Sequence, residues 1–322
     1  MDPVIHPSTD AVEKREPPLR GPLVPFVADK SAVSLGMARG RPGLLSRITD
    51  VVEGLVDPRL RARIDALPRE NLNEFGVDPF GCDPEVIKLL APFLTFLKDR
   101  YFRVESHGTE HIPSEGRFLL IGNHSGQLPF DAMMVGTTVL TEAPRPRLIR
   151  SMVERWSADL PFVSELFVRS GQIVGDPRVC TRLLEADEAV LVFPEGVKGI
   201  SKLFSQRYQL ADFGHGFMRL ALQTKAPIVP FAVIGAEEQA PAIADIRPLA
   251  RLLGLPAAPV VFPQLLPIPL PTRYRIWFGE PMSFHGAVDD DDAVVAGHVK
   301  KVKNTIQRMV DAGLKRRRSV FF

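Results

Sequence analysis

From Phe102 onward, short apolar runs alternate with stretches of helical periodicity, and this alternation restricts the fold more than any other feature of the chain. The runs are Arg103–Ser106, Phe118–Gly122, Arg147–Ser151, Gln172–Val174, Ala189–Phe193, Ile228–Ile234 and Tyr274–Phe278. Helical stretches fall around 130–140, 176–187, 213–224 and 289–314. Strands alternating with helices predict an α/β fold, a mixed, mostly parallel sheet flanked by helices. Leu-Leu-Ile-Gly and Val-Leu-Val-Phe are apolar at nearly every position, as central strands covered on both faces should be.

The same alternation sets the domain boundaries. Residues 102–286 form the α/β domain, and 287–322 a C-terminal helix with a basic tail. Residues 1–45 are rich in Pro, Gly and charge without periodicity and read as a flexible arm. Residues 46–101 read as a helical, membrane-facing segment. One amphipathic helix or broken pair is expected from about Leu45 to Leu67, stopped around Pro58, and a second helix over 84–102. The stretch GLPAAPVVFPQLLPIPLP, residues 254–271, cannot be a regular helix. It is either an extended loop over the core or an apolar lip that dips into a membrane or lines a lipid channel.

An apolar fraction of 45% and a charged fraction of 24% are those of a globular protein, and a net charge of +2 leaves no electrostatic footprint for nucleic acid. Two cysteines supply neither a disulfide framework nor a metal cluster and fit a reducing compartment. The Pro-rich, acidic start has no signal-peptide pattern, and no apolar run reaches the roughly 18–20 residues of a spanning helix. The expectation is a cytoplasmic protein, peripheral on a membrane, with 84–97 and 252–271 as its apolar contacts.

Two strand ends carry the chemistry. Phe118–Gly122 leads into Asn123-His124 and a Gly- and Pro-containing bend, with Asp131 seven residues after the histidine. In one continuous helix the two would lie roughly 10 Å apart along the axis. Gly122, Gly126 and Pro129 instead predict strand, bend, and a helix beginning at Pro129 with Asp131 in its first turn. The bend can fold His124 over that helix start, where a carboxylate on one ring nitrogen leaves the other free as a general base. The other reading is a strand-end histidine and an ordinary helix acid. The second strand end is Phe193-Pro194-Glu195-Gly196. If the strands are neighbours, Glu195 faces the same cleft, to bind an acceptor hydroxyl or to order the loop. Gly196 lets the backbone approach an oxyanion closely.

Asn-His with a following Asp, then Phe-Pro-Glu-Gly about seventy residues on, then Ala226-Pro227-Ile228-Val229-Pro230-Phe231, resembles the glycerolipid acyltransferase superfamily over roughly residues 100–285. The resemblance implies acyl transfer from acyl-CoA or acyl carrier protein to a hydroxyl of a lysophospholipid or neutral glyceride. It implies no covalent enzyme intermediate, no metal and no cofactor. By it, His124 is the general base and Asp131 its orienting partner. Gly171, Arg178, Glu195, Gly196 and Lys198 fall at acceptor-binding positions, and Pro230 lies in the strand near the acyl donor. Backbone donors near Gly126 or Gly196 are the oxyanion candidates. His215, between two glycines at a helix start, either touches a donor phosphate or caps the helix.

The chain departs from the family in two places. Six residues, Ser125 to Phe130, separate His124 from Asp131 where four are usual, so an enlarged bend must bring the pair together. The phosphate-gripping arginine expected six residues after Gly171 is displaced to Arg178, and Val197-Lys198 replaces the usual Thr-Arg. Lysine lacks arginine's bidentate fork, which points to a neutral glyceride or another lipid alcohol as acceptor. The rival readings are an inactive lipid-binding protein on the same fold and a metal-dependent hydrolase built on His124, Asp131 and Glu195.

The remaining charged residues have plainer readings. His107, Glu110 and His111 mimic a metal pair, but Gly108 and Pro113 favour a strand and turn. Lys202, Arg207 and Arg219 read as surface charge or as contacts to coenzyme A phosphates. Asp289–Asp292 should start the last helix. Lys315–Arg318 with the apolar end Val320–Phe322 either grips anionic lipid or frays into solvent.

Overall fold

The structure, a computed structural model, describes residues 54, 56–68, 72–124, 129–153, 163–246, 259–261 and 268–321. The expected arm 1–45, the first part of the expected helix from Leu45, and most of the 252–267 stretch lie outside them. All described residues fall within a unit spanning Ile48–Phe322.

The strands are β1 (Glu105–His107), β2 (Phe118–Gly122), β3 (Ile149–Val153), β4 (Ile173–Val174), β5 (Ala189–Val192), β6 (Ile228–Ile234), β7 (Ala242–Asp245), β8 (Pro259–Val261) and β9 (Arg275–Phe278). The helices are α1 (Pro58–Asp65), α2 (Pro84–Phe96), α3 (Phe130–Glu142), α4 (Val163–Arg169), α5 (Pro177–Glu185), α6 (Val197–Ile200), α7 (Gly216–Thr224) and α8 (Asp292–Arg316). Seven strands form one sheet in the order β1-β9-β6-β2-β5-β3-β4. Strands β6, β2, β5, β3 and β4 are mutually parallel, and β9 joins β6 antiparallel with β1 parallel to it. The expected mixed, mostly parallel sheet flanked by helices is therefore the observed one.

Alternation of side chains along β2 builds the layers. Leu119 and Ile121 enter a core with α5, α7 and α8, whereas Phe118 and Leu120 enter a second core with α3. Helix α8 closes the first layer with Val295, Val299, Val302, Ile306 and Val310, all buried at helical spacing. Helices α1 and α2 pack together as a smaller cluster against Leu140 of α3.

Several boundaries differ from those expected. Pro58 starts a helix rather than stopping one. Asp57, Asp83 and Asp176 each cap a helix by accepting a backbone N–H, and the following Pro58, Pro84 and Pro177 occupy the first helical position, where a missing N–H costs nothing. The 84–102 helix ends in a π turn, Leu97–Tyr101. Within 254–271, Pro259–Val261 pairs antiparallel with β7, a strand the sequence did not suggest. The C-terminal tail does not fray: Val320 accepts the Arg273 backbone N–H at 2.8 Å, and Phe321 accepts from the Arg103 guanidinium at 2.8 Å.

Candidate active site

The carboxyl ends of β2, β5 and β6 open on one edge of the sheet, where the chain leaves β2 for one side and returns on the other. Such switch points form the ligand crevice of open α/β sheets. Residues following β2 and β5 meet there.

Asn123 leaves β2 fully buried and stitches it to β6, donating to the Val233 carbonyl at 2.9 Å and accepting the Val233 N–H at 2.8 Å. This anchor places His124 just past the strand end. The chain re-enters at Pro129, and Asp131 sits in the first turn of α3, as expected. His124 Nδ1 lies 2.7 Å from Asp131 Oδ2, so the six-residue spacing does not separate the pair. Asp131 is fully buried, whereas His124 keeps 16% of its side chain exposed. The second Asp131 oxygen accepts the Ala132 N–H at 2.8 Å. With Nδ1 donating to the carboxylate, Nε2 keeps its lone pair.

Three further contacts hold the histidine. Phe193, at the end of β5, stacks on the imidazole with centroids 4.0 Å apart and planes 10° from parallel. Glu195 accepts the His124 backbone N–H at 3.0 Å through Oε1 and the Ala211 N–H at 2.7 Å through Oε2. Gly199 lies so close that a Cβ there would meet the Cβ atoms of His124 and Glu195 at 2.9 Å each. Of the two roles weighed for Glu195, its geometry matches ordering the loop, because its buried carboxylate is engaged by the chain itself. Gly196 makes the sharp turn after it, at φ 53° and ψ −142°, and its N–H donates to Phe193 O at 3.0 Å rather than pointing at a substrate.

A family model for acyltransferases matches residues 103–234, which contain both strand ends. An uncharacterized protein of Mycobacterium leprae is 42% identical over 259 residues, covering 77% of this chain and 71% of that one. The chain belongs to the glycerolipid acyltransferase superfamily. A second mycobacterial relative, from Mycobacterium tuberculosis, is 38% identical over 87% of this chain and 78% of its own length. The human protein described as a DGAT1/2-independent enzyme synthesizing storage lipids is 24% identical over 64% of this chain and 60% of its own. Among solved structures, the 1-acyl-sn-glycerophosphate acyltransferase PlsC from Thermotoga maritima aligns with a TM-score of 0.49 and 17% identity, over 73% of this chain and 83% of that one.

Within this acyltransferase the other expected site residues scatter. Gly171 (φ +87°) turns the chain ahead of β4, packed against Arg150 and Leu148, with β5 and β3 between it and β2. Gly171 is thereby removed from His124. Arg178 is exposed in the first turn of α5, its N–H satisfied by Asp176. Lys198 stays exposed on α6, beside the Glu195 loop. Pro230 pairs with Ile121, about 10 Å short of His124 along the strand. His215 makes no capping bond, and its Nδ1 lies 3.9 Å from Asp292. Gly126 lies outside the described residues.

The structure also corrects the readings of surface cations. Lys202 is buried between Glu195 and Glu237 rather than free for a phosphate. Arg219 is tied to Asp292 at 2.6 Å, whereas Arg207 stays exposed, in line with the surface-charge reading, bonded to the Phe204 carbonyl and set over its ring. His111 bonds the Phe278 carbonyl and His107 stacks on Trp277, so this pair serves the sheet edge. The sequence did carry one overlooked signal, in Gly-Ala-Glu-Glu-Gln after β6. Two acids directly behind a fully apolar strand imply burial with a partner, which is what Glu237 and Glu238 have.

Proposed function

We propose that the protein transfers a fatty acyl group from a thioester, acyl-CoA or acyl carrier protein, to a hydroxyl of a neutral glyceride, with His124 as general base. The observation that carries this reading is the 2.7 Å His124–Asp131 pair at the crevice edge, with one ring nitrogen committed and the imidazole still reachable. Nε2 takes the hydroxyl proton as the oxygen attacks the thioester carbonyl. The tetrahedral intermediate collapses with loss of the thiolate, which recovers the proton from Nε2. The products are an ester and a free thiol, and no enzyme-bound acyl group forms.

A neutral acceptor is supported by the state of the cations. A phosphate needs free donors, preferably an arginine fork. Lys202 and Arg219 are engaged within the protein, and Lys198, exposed beside the Glu195 loop, offers a point charge without arginine's fork. The human relative named for storage-lipid synthesis points the same way. The acceptor would reach the site from a bilayer docked on α2, where Leu89, Phe93 and Phe96 are 41%, 53% and 53% exposed on one helical face. Among the described residues no helix is long and apolar enough to cross a membrane.

The test is an acceptor screen with labelled acyl-CoA against mono- and diacylglycerol and lysophosphatidate. The expected result is faster labelling of the neutral glycerides. Preference for lysophosphatidate would overturn the acceptor assignment, and no transfer to any lipid would favour the inactive lipid-binding reading.

A further inference from the structure

The carboxylate that holds His124 is itself held. Lys202, in the loop after α6, places Nζ 3.2 Å from Glu195 Oε2 and 3.1 Å from Glu237 Oε1. The three side chains are at most 8% exposed. The cavity beside them measures about 10 Å³, room for about one water. Glu237 follows β6, and its other oxygen accepts the Tyr208 N–H at 2.9 Å. One ammonium therefore ties together the segments that follow β5 and β6 and, through Glu195, reaches the one that follows β2.

We propose that Lys202 is a positioning residue of the acyl-transfer site, acting on His124 through Glu195. The inference rests on the reading of His124 as the base. Lys202 itself directs Nζ to two carboxylates of the protein, Glu195 and Glu237. Removing its charge leaves two buried carboxylates facing each other across the vacated space. One must then take up a proton or turn away. Glu195 in either case loses the cation that holds its Oε2, which frees the acceptor of the His124 backbone N–H to turn and shifts the imidazole against its substrate. A misplacement of about 1 Å costs on the order of 10²-fold in rate.

The test uses the full chain, palmitoyl-CoA and a monoacylglycerol in detergent micelles, with free thiol as the readout. K202M should lower kcat by about 10²-fold with KM for either substrate changed less than about twofold, and K202R, which keeps the cation, should recover most of that loss. R150M is the control. Arg150 is equally buried, paired with Asp78 and Glu188, but stands on β3 away from His124. R150M should lower the melting temperature while kcat stays within about twofold of wild type.

Wild-type kcat in K202M overturns the proposal, as does an equal kcat loss in R150M. If K202M does not fold, K202Q carries the same two readouts. H124A in the same assay separates the failures. Full activity in H124A sinks the functional reading itself, whereas an inactive H124A beside a fully active K202M sinks only the role of Lys202.

Discussion

Four contacts fix where His124 stands: Asp131 on Nδ1, Phe193 on the ring face, Glu195 on the backbone amide, and Gly199 against Cβ. The last is the least tolerant, since no flexible side-chain end can yield there. G199A should lower kcat by about 10²-fold with little change in KM, measured as thiol release at saturating acyl-CoA. His124, Asp131 and Glu195 were legible because each ends a strand or begins a helix in an otherwise apolar setting. Gly199 was not, because its need for a bare Cα arises only when segments seventy-odd residues apart are brought together by the β2–β5 pairing. Lys202 was read as surface charge for the same reason, as its two partners come from separate strand ends.

At the scale of elements, the turn after β6 carries a pH dependence. Burial raises the Glu237 carboxyl to about 7, against the pull of Lys202 and the Tyr208 N–H. A carboxyl raised from 4.5 to about 7 favours the folded state only while protonated. Its contribution is full below pH 4.5 and is lost as pH climbs through 7. E237Q should therefore gain on wild type by about 3 kcal/mol between pH 4.5 and 8, measured by denaturant unfolding at a series of pH values. The strands of the sheet were legible from their apolar runs, to within a residue or two at most ends. The helices at 84 and about 176 were expected where they start, whereas Asp57-Pro58 was read as a stop because only the proline was weighed. The β7–β8 hairpin was not legible, because Pro259–Val261 sits within a Pro-rich stretch that carries no strand periodicity.

At the scale of the molecule, the exposed face of α2 is an apolar feature the core leaves unused, with Leu89, Phe93 and Phe96 at helical spacing. F93S/F96S should reduce co-sedimentation with phosphatidylcholine vesicles several-fold while leaving thiol release from micellar substrate nearly intact. The α/β class and the crevice edge were legible from strand order and strand ends. The position of Gly171 was not, because motif order along the chain does not give lateral place in a sheet, and β4 lies at its edge.

The central claim is that the His124–Asp131 pair performs the proton transfer of acyl transfer. The most direct measurement is kcat for thiol release from acyl-CoA with a glyceride acceptor, in wild type and in folded H124A. A fall of about 10²–10⁴-fold in H124A is the predicted result. Release at the wild-type rate in H124A would contradict it.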